Sequence, residues 1–137
     1  MSGFLLDTNV VSELVKKAPN EKVTSWVRSI DESLLYVSVL TISEIRKGIV
    51  QLSVGARRTR LENWLEVELA GRFEGRIIPI DRAVGERWGR LTAELSRTLP
   101  VVDTLLAATA LDHDLTFVTR NIADFAVTNV SLFNPWQ

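Results

Sequence analysis

Residues 4–9 read Phe4-Leu5-Leu6-Asp7-Thr8-Asn9, so a short apolar run leads directly into a carboxylate, a hydroxyl and an amide. An apolar run without alternation is typical of a strand that is buried on both faces of a parallel sheet. We therefore predict a first strand at 3–6 within a central, mostly parallel sheet of four to five strands. Other apolar runs predict three more strands and a short fifth one, at 34–39, 76–80, 115–119 and 130–133.

Helical segments separate these strands, which indicates an α/β fold in three layers, with helices on both faces of the sheet. Hydrophobic periodicity predicts the helices near 9–16, 20–29, 41–53, 57–72, 81–96 and 101–113. In such folds ligands bind beyond the carboxyl ends of the strands, near the point where the strand order reverses. Acidic residues at strand ends are therefore candidates to share one site.

The composition is that of an ordinary globular domain, with 137 residues of which 46% are hydrophobic and 24% are charged. This length predicts a single domain over residues 1–137. A formal net charge of -1 indicates that any nucleic-acid-binding surface is a local patch. The absence of cysteine excludes disulfides, zinc fingers and thiol catalysis, and the single histidine argues against a Ser-His-Asp triad.

The sequence contains neither a membrane span nor a secretory signal pattern. No apolar run approaches the roughly 20 residues that cross a bilayer. The first residues also lack the basic and then apolar order of a signal peptide. We therefore expect a cytoplasmic protein without a membrane partner.

Four apolar stretches each lead into an acid, and the first two acids have a structural explanation as well as a catalytic one. Asp7 could cap the helix that follows it, although Asn9 could cap instead and leave Asp7 free. Glu44 ends the pattern Thr41-Ile42-Ser43-Glu44, which fits a capping box with Thr41 as the N-cap. Since a carboxylate has two oxygens, Glu44 could serve in both roles.

The other two acids lie in the last third of the chain. Asp103 is in the first turn of the apolar helix that Pro100 opens, where an acid favours the helix dipole and points to a specific partner. Asp124 follows the fourth predicted strand, three residues after Asn121, and the two could form a local turn or provide a ligand. Asp81 also follows a strand, but no second polar group accompanies it, and we interpret it as a helix cap.

Carboxylates that lie within a few ångströms of one another cannot all stay ionised without a cation. Without cysteine or a suitable histidine the ligands are hard oxygens, which select Mg²⁺, or Mn²⁺ as a substitute, over Zn²⁺. We therefore predict metal-assisted hydrolysis of phosphodiester bonds, because a bound magnesium ion can activate water and bind a phosphate oxygen. The predicted catalytic acids are Asp7, Glu44, Asp103 and Asp124. Groups predicted to hold these carboxylates or water are Thr8, Asn9, Ser43, Thr104, Thr119 and Asn121.

Five motifs carry a resemblance that covers essentially the whole chain. Their order and spacing resemble those of the PIN-domain ribonucleases, specifically the VapC-type toxins of bacterial toxin–antitoxin pairs, in the branch that includes the FitB-like proteins. The motifs are Leu5-Leu6-Asp7-Thr8-Asn9-Val10-Val11-Ser12-Glu13, Ser38-Val39-Leu40-Thr41-Ile42-Ser43-Glu44-Ile45-Arg46-Lys47-Gly48, Asp103-Thr104-Leu105-Leu106-Ala107-Ala108-Thr109-Ala110, Thr119-Arg120-Asn121-Ile122-Ala123-Asp124-Phe125 and Phe133-Asn134-Pro135-Trp136.

The resemblance implies a Mg²⁺-dependent endoribonuclease on a PIN-like α/β fold with a central parallel sheet. Its metal ligands would be Asp7 and Asp103, joined by Glu44 and by Asp124. Some relatives place the fourth acid at the position of Asn121, which leaves two candidates for that ligand. The resemblance also implies a homodimer, held inactive by a small VapB-type antitoxin whose C-terminal segment lies across the active-site groove.

Two features of the sequence could serve RNA and protein partners, and each also has an ordinary structural explanation. The apolar stripe of the helix at 57–72 is either core or, in part, an uncovered surface. This stripe consists of Leu61, Trp64, Leu65, Leu69 and Phe73. Basic residues near it could contact RNA phosphates or form a solvated face. They are Arg46, Lys47, Arg57, Arg58 and Arg60.

Two other functions are compatible with acids at strand ends. A metal-dependent phosphatase or phosphoacceptor domain would need a second acid beside Asp7, where this chain has Thr8 and Asn9. It would also need a lysine after a later strand, where Thr119 is followed by Arg120. A non-catalytic binding module of the same fold is the second alternative, and the presence of all four acids argues against it.

Overall fold

A five-stranded sheet forms the centre of the protein. The computed structural model describes residues 2–137, and all four strand pairings in it are parallel. The strands are β1 (Phe4–Leu6), β2 (Leu35–Ser38), β3 (Ile77–Ile78), β4 (Thr116–Val118) and β5 (Leu132–Phe133). Their order in the sheet is β3-β2-β1-β4-β5, so the predicted parallel sheet with a short fifth strand is confirmed.

Helices connect the strands and cover both faces of the sheet. They are α1 (Thr8–Val15), α2 (Glu21–Ser29), α3 (Val39–Val50), α4 (Ala56–Asn63), α5 (Ala70–Arg72), α6 (Arg82–Glu94), α7 (Val101–Asp112) and α8 (Ile122–Phe125). A π-helix at Trp64–Leu69 joins α4 to α5, and short 3₁₀ turns lie at Glu32–Leu34 and Ala126–Thr128. Within residues 2–137 no helix combines the length and the apolar character needed to cross a membrane.

The alternation of side chains along β1 divides the core into two parts. Leu6 packs on one face of the sheet, in a cluster with residues of α1, α2, α3 and the π-helix. Leu5 packs on the other face with residues of α7 and α8. Both leucines are fully buried. A strand with one face in each core needs the continuous apolar character from which it was predicted.

The strand order reverses at β1, and this places the carboxyl ends of β1 and β4 side by side. Phe4 of β1 is in register with Leu35 of β2 and with Thr116 of β4. The pairing continues past the strand, because the backbone N–H of Asp7 donates to the carbonyl of Val118 at 2.9 Å. Ligands of open parallel sheets bind at such a reversal.

The N-terminus of α3 differs from the prediction. The helix begins at Val39 instead of Thr41, and its N-cap is Ser38, whose hydroxyl accepts from the backbone N–H of Leu40 at 3.0 Å. The predicted capping box of Thr41 and Glu44 is therefore wrong. Because the last residue of β2 caps the helix directly, no turn separates the two elements, and Thr41 becomes a fully buried residue of the first turn.

In place of the single helix predicted at 57–72, the structure has a continuous helical segment from Ala56 to Arg72, with the π-helix between α4 and α5. Leu65, Leu69 and Phe73 are buried in the core, whereas Leu61 and Trp64 only partly pack against it. Both explanations of the apolar stripe therefore hold, each for a different part of it. Trp64 is the first residue of the π-helix and Leu61 lies three residues before it in α4. A π-helical distortion of this kind is frequent at functional sites.

Candidate active site

Asp7 lies at the carboxyl end of β1 and is both a helix cap and a member of the candidate site. It is the N-cap of α1, and its Oδ1 accepts from the backbone N–H of Thr8 at 2.8 Å. Its Oδ2 accepts from the hydroxyl of Thr119 at 2.8 Å and more weakly from the side-chain amide of Asn9 at 3.4 Å. The alternative that Asn9 caps this helix is thus wrong, because α1 begins one residue earlier.

The surroundings of Asp7 disfavour its negative charge. The residue is only 8% exposed, and burial raises the pKa of its carboxyl above the ordinary value. Hydrogen bonds from Thr119 and Thr8 oppose this effect, while repulsion by Glu44 and Asp103 adds to it. The carboxylate is held by neutral donors among negative neighbours, an arrangement that a cation would relieve.

Glu44 approaches this position from α3. The hydroxyl of Thr8, the residue after Asp7, donates to Oε1 of Glu44 at 2.7 Å. The buried hydroxyl of Thr41 lies 3.3 Å from that of Thr8, within hydrogen-bonding distance. The carboxyl group of Glu44 therefore binds Thr8 at the start of α1 instead of capping its own helix. Sequence reasoning missed the role of Thr41, although its spacing of three residues from Glu44 places both on one face of α3.

Asp103 enters from α7 on the other side of the sheet. It lies in the first turn of the helix, as predicted, with Pro100 as the N-cap residue. Burial raises the pKa of the Asp103 carboxyl, and repulsion by Asp124 and Glu44 raises it further. Asp103 is repelled by Asp124 and in turn repels Asp7.

The two candidates for the fourth position, Asp124 and Asn121, have different surroundings. Asp124 is an exposed residue of α8 whose charge acts on Asp103. Asn121 precedes the helix and donates its backbone N–H to the hydroxyl of Thr119 at 3.1 Å, so it contributes through its main chain. The sequence predicted no helix here, because a helix of four residues is too short to produce a periodic pattern.

The four acids influence one another electrostatically, but they are not drawn together as a ready-made metal cage. Among residues 2–137, no three His, Asp or Glu side chains are arranged to hold a metal ion as they stand. The donor chemistry nevertheless fits Mg²⁺, because this ion keeps several waters and usually takes only one or two carboxylates. The raised pKa values of Asp7 and Asp103 are a second point of fit, since a cation would offset the repulsion that contributes to both.

Two residues expected beside the acids lie elsewhere. The hydroxyl of Thr104 accepts from the indole N–H of Trp88 at 2.8 Å and donates to the carbonyl of Val101 at 2.9 Å. It therefore joins α7 to α6, because position 104 faces that helix while position 103 faces the strand ends. Ser43 donates to the carbonyl of Val39 within its own helix. Asp81 is a helix cap, as interpreted, and accepts from the N–H of Val84 at 3.0 Å.

A groove of about 910 Å³ runs from Thr8 and Glu44 between α1, α3 and α4. One wall is apolar and includes the partly covered Leu61 and Trp64. The cations along the groove are Lys16, Lys17, Arg57 and Arg60. The sequence prediction included only the two arginines, because the lysines follow α1 and belong to a different part of the chain.

The other predicted basic residues have different surroundings. The guanidinium of Arg46 pairs with Glu66 at 2.8 Å and lies 3.9 Å from Glu62. Arg58 lies 3.6 Å from the same Glu62. These two charges are already balanced within the protein. Lys47 lines a separate, shallow surface on the outer side of α3.

Comparison with known proteins gives a consistent result. The family model of the PIN domain matches residues 4–129. The chain is 36% identical to Toxin FitB of Neisseria gonorrhoeae over 137 residues, which cover 98% of this chain and 99% of that protein. It is 34% identical to VapC ribonuclease Y4jK of Sinorhizobium fredii, with 98% of each chain covered.

The fold agrees with the sequence match. The crystal structure of FitAcB from Neisseria gonorrhoeae superposes with a TM-score of 0.92 at 35% identity, over 98% of this chain and 99% of that one. The extent of these similarities, in sequence and in fold, leads to one conclusion. The chain belongs to the PIN-domain family.

Proposed function

We propose that this protein is the ribonuclease toxin of a toxin–antitoxin pair and that it hydrolyses RNA phosphodiester bonds with a divalent cation. The observation that carries the proposal is the state of Asp7, a buried carboxylate at the reversal of a parallel sheet that is repelled by two other acids. Structural carboxylates are normally compensated by a positive charge. The names of the relatives, a toxin and a VapC ribonuclease, agree with this reading.

In the proposed site Asp7 and Asp103 hold the cation, with Glu44 and Asp124 completing the group. Mg²⁺ is the expected ion and Mn²⁺ its substitute, because all the donors are carboxylate oxygens. When bound, the ion would supply an activated water and offset the negative charge that builds up on the phosphate.

The chain's own residues prepare this site in two ways. Thr119 and Thr8 each donate to one oxygen of Asp7, so the carboxylate is fixed in direction before any ligand arrives. The hydroxyl of Thr8 also donates to Glu44 and thereby couples the acids of β1 and α3. Such preorganisation lowers the cost of orienting the reacting groups.

The groove beside Glu44 is the proposed place for the macromolecular partners. Lys17, Arg57 and Arg60 in the groove can bind phosphates of an RNA strand that leads to the acids, whereas Lys16 is paired with Glu13. Its apolar wall, with Leu61 and Trp64, suits the C-terminal segment of a VapB-type antitoxin, which would block the same path. A homodimer of the toxin, with higher assembly in the antitoxin complex, is part of the proposal.

Two substitutions on one helix test the proposal. Purified protein, freed of any partner, is incubated with single-stranded or structured RNA and Mg²⁺ or Mn²⁺. We expect cleavage that stops with EDTA and returns when the metal is restored. Asp103→Asn should reduce the rate by about a thousandfold, since metal-assisted charge stabilisation contributes several kcal/mol.

The matched control is Asp112→Asn, which makes the same change in the last turn of α7, where Asp112 lies 3.8 Å from His113. This variant should cleave RNA at the wild-type rate. Cleavage that is indifferent to EDTA, or equal in both variants, would rule the proposal out. Release of phosphate from a phosphomonoester, with RNA left intact, would instead favour the phosphatase alternative.

A further inference from the structure

The C-terminal segment 133–136 lies against the loop that follows β4. The backbone N–H of Thr119 donates to the carbonyl of Phe133 at 3.0 Å and extends the pairing of β4 with β5. The ring of Phe133 is anchored in turn, with its centroid 5.0 Å from that of Trp26 in α2. The end of the chain is therefore fixed beside the residue whose hydroxyl holds Asp7.

Asn134 uses both ends of its side-chain amide in this contact. Its Nδ2 donates to the carbonyl of Arg120 at 3.2 Å, and its Oδ1 accepts from the backbone N–H of Trp136 at 2.9 Å. The side chain thus joins the loop after β4 to the last residues of the chain. The buried Pro135 lies between the two points of attachment and restricts the backbone there.

Arg120 provides a second connection to the same segment. Its guanidinium lies over the ring of Trp136, 5.2 Å from the centroid, while Trp136 packs against the core. Its backbone N–H approaches Oδ1 of Asn9 at 3.4 Å. The peptide next to Thr119 is therefore held from the C-terminus by Asn134 and Trp136 and from α1 by Asn9.

We propose that Asn134 and Trp136 act as a latch that positions the hydroxyl of Thr119 on Asp7. Through Thr119 they set the direction of a carboxylate that, on the function proposed above, binds the cation. Asn134 is then a positioning residue that lies two hydrogen bonds away from Asp7, one to the Arg120 carbonyl and one from the Thr119 hydroxyl. The motif Phe133-Asn134-Pro135-Trp136 thereby has a role that its distance along the chain from the four acids does not suggest.

The variant Asn134→Asp separates the two hydrogen bonds of the latch. Aspartate can still accept from the N–H of Trp136, but it cannot donate to the carbonyl of Arg120. The matched control is Gln137→Glu, which adds the same charge three residues away at an exposed position. Thr119→Val serves as a reference, because it removes the hydroxyl on which the latch acts.

Two measurements are made on each full-length variant well below its melting temperature. Titration calorimetry with Mn²⁺ alone gives the metal affinity, and amide NMR spectra of the metal-free protein report on the N–H groups of Thr8 and Asn121. These two groups donate to Asp7 and to the Thr119 hydroxyl. The Thr8 signal is the decisive one, because the Asn121 N–H shares its peptide group with the Arg120 carbonyl and therefore also responds directly to the loss of the Asn134 hydrogen bond.

We expect Asn134→Asp to weaken Mn²⁺ binding by about tenfold, the lower end of what residues behind metal ligands contribute. It should also shift both amide signals in the direction seen for Thr119→Val. Gln137→Glu should leave the affinity and both signals at their wild-type values.

The latch is refuted if Asn134→Asp melts at a lower temperature but keeps the wild-type amide signal of Thr8, since the segment then only stabilises the fold. Failure of the proposed function looks different. A wild-type protein that binds no Mn²⁺ contradicts the metal site, while the amide signals of the metal-free variants still decide whether Asn134 positions Thr119.

Discussion

The two ends of α1 each carry a buried acid, and the surroundings shift the pKa values of the two acids in opposite directions. Asp7 at the N-terminal end is 8% exposed, and Glu13 near the C-terminal end is 5% exposed. Burial raises the pKa of Asp7, whereas hydrogen bonds from Lys16 and from the backbone of Asn20 lower the pKa of Glu13. Two carboxyls of similar exposure at the two ends of one helix thus have pKa values shifted in opposite directions.

The difference lies in the charge of the donors. Lys16 reaches Glu13 at 2.9 Å, and the backbone N–H of Asn20, the residue that caps α2, binds the other oxygen at 2.9 Å. Asp7 has neutral donors and acidic neighbours instead. A compensated buried acid indicates a structural role, and an uncompensated one at a strand end indicates a place prepared for a ligand.

The largest expected effect separates the functions of the two acids. Asp7→Asn should lower RNA cleavage by about a thousandfold, because it removes a ligand of the cation. Glu13→Gln should cleave RNA at the wild-type rate. In cells, induced expression of the wild-type chain or Glu13→Gln should arrest growth, and expression of Asp7→Asn should not.

Circular dichroism and the melting temperature must show that both of these variants are folded. A growth arrest by Asp7→Asn equal to that by the wild type would contradict the catalytic role of Asp7. A loss of cleavage in folded Glu13→Gln would contradict the purely structural role of Glu13.

The second effect concerns stability. Glu13→Gln should lower the free energy of unfolding by about 1 kcal/mol at neutral pH, since it weakens hydrogen bonds that are assisted by charge. Because the pKa of Glu13 is lower in the folded state than in the unfolded state, the stabilisation is complete above the unfolded pKa of about 4.5. It is lost as the pH falls through the folded value.

Urea unfolding of the wild type and of Glu13→Gln at a series of pH values measures this difference. We expect the two unfolding curves to converge in acid and to separate toward neutral pH. A separation that stays constant over the whole range would show that the glutamate acts through packing instead of charge.

The sequence predicts much of this arrangement because the relevant signals are local. Leu5 and Leu6 belong to an uninterrupted apolar run, and that run is enough to predict a strand covered on both faces. Asp7 and Asp103 follow directly, since each lies where an apolar element begins or ends. The reversal of strand order at β1 then brings their elements together, as the fold class implies.

The errors arise where contacts from distant segments decide the outcome. Thr41 and Glu44 match a capping pattern, but Ser38 at the end of β2 caps the helix first and leaves Glu44 to Thr8. The local pattern for Thr104 gave no indication that Trp88 of α6 would bind it. Such hydrogen bonds join residues far apart in the chain, and they depend on how the helices pack. Hydrophobic periodicity within one helix does not predict that packing.

The smallest expected effect tests what compensates Glu13. The side chain of Lys16 is 58% exposed, and ion pairs in such surroundings contribute about 0.5 kcal/mol or less. The N–H of Asn20 is instead a backbone donor in the segment that connects α1 to α2, and it would lose its acceptor if Glu13 moved.

Lys16→Met should therefore lower the free energy of unfolding by less than Glu13→Gln does, and added salt should reduce the difference between Lys16→Met and the wild type. An equal loss in the two variants, measured by urea unfolding at low salt, would mean that the exposed lysine carries the compensation. The contrast with Asp7 would then depend on one surface charge instead of on the way the chain folds around Glu13.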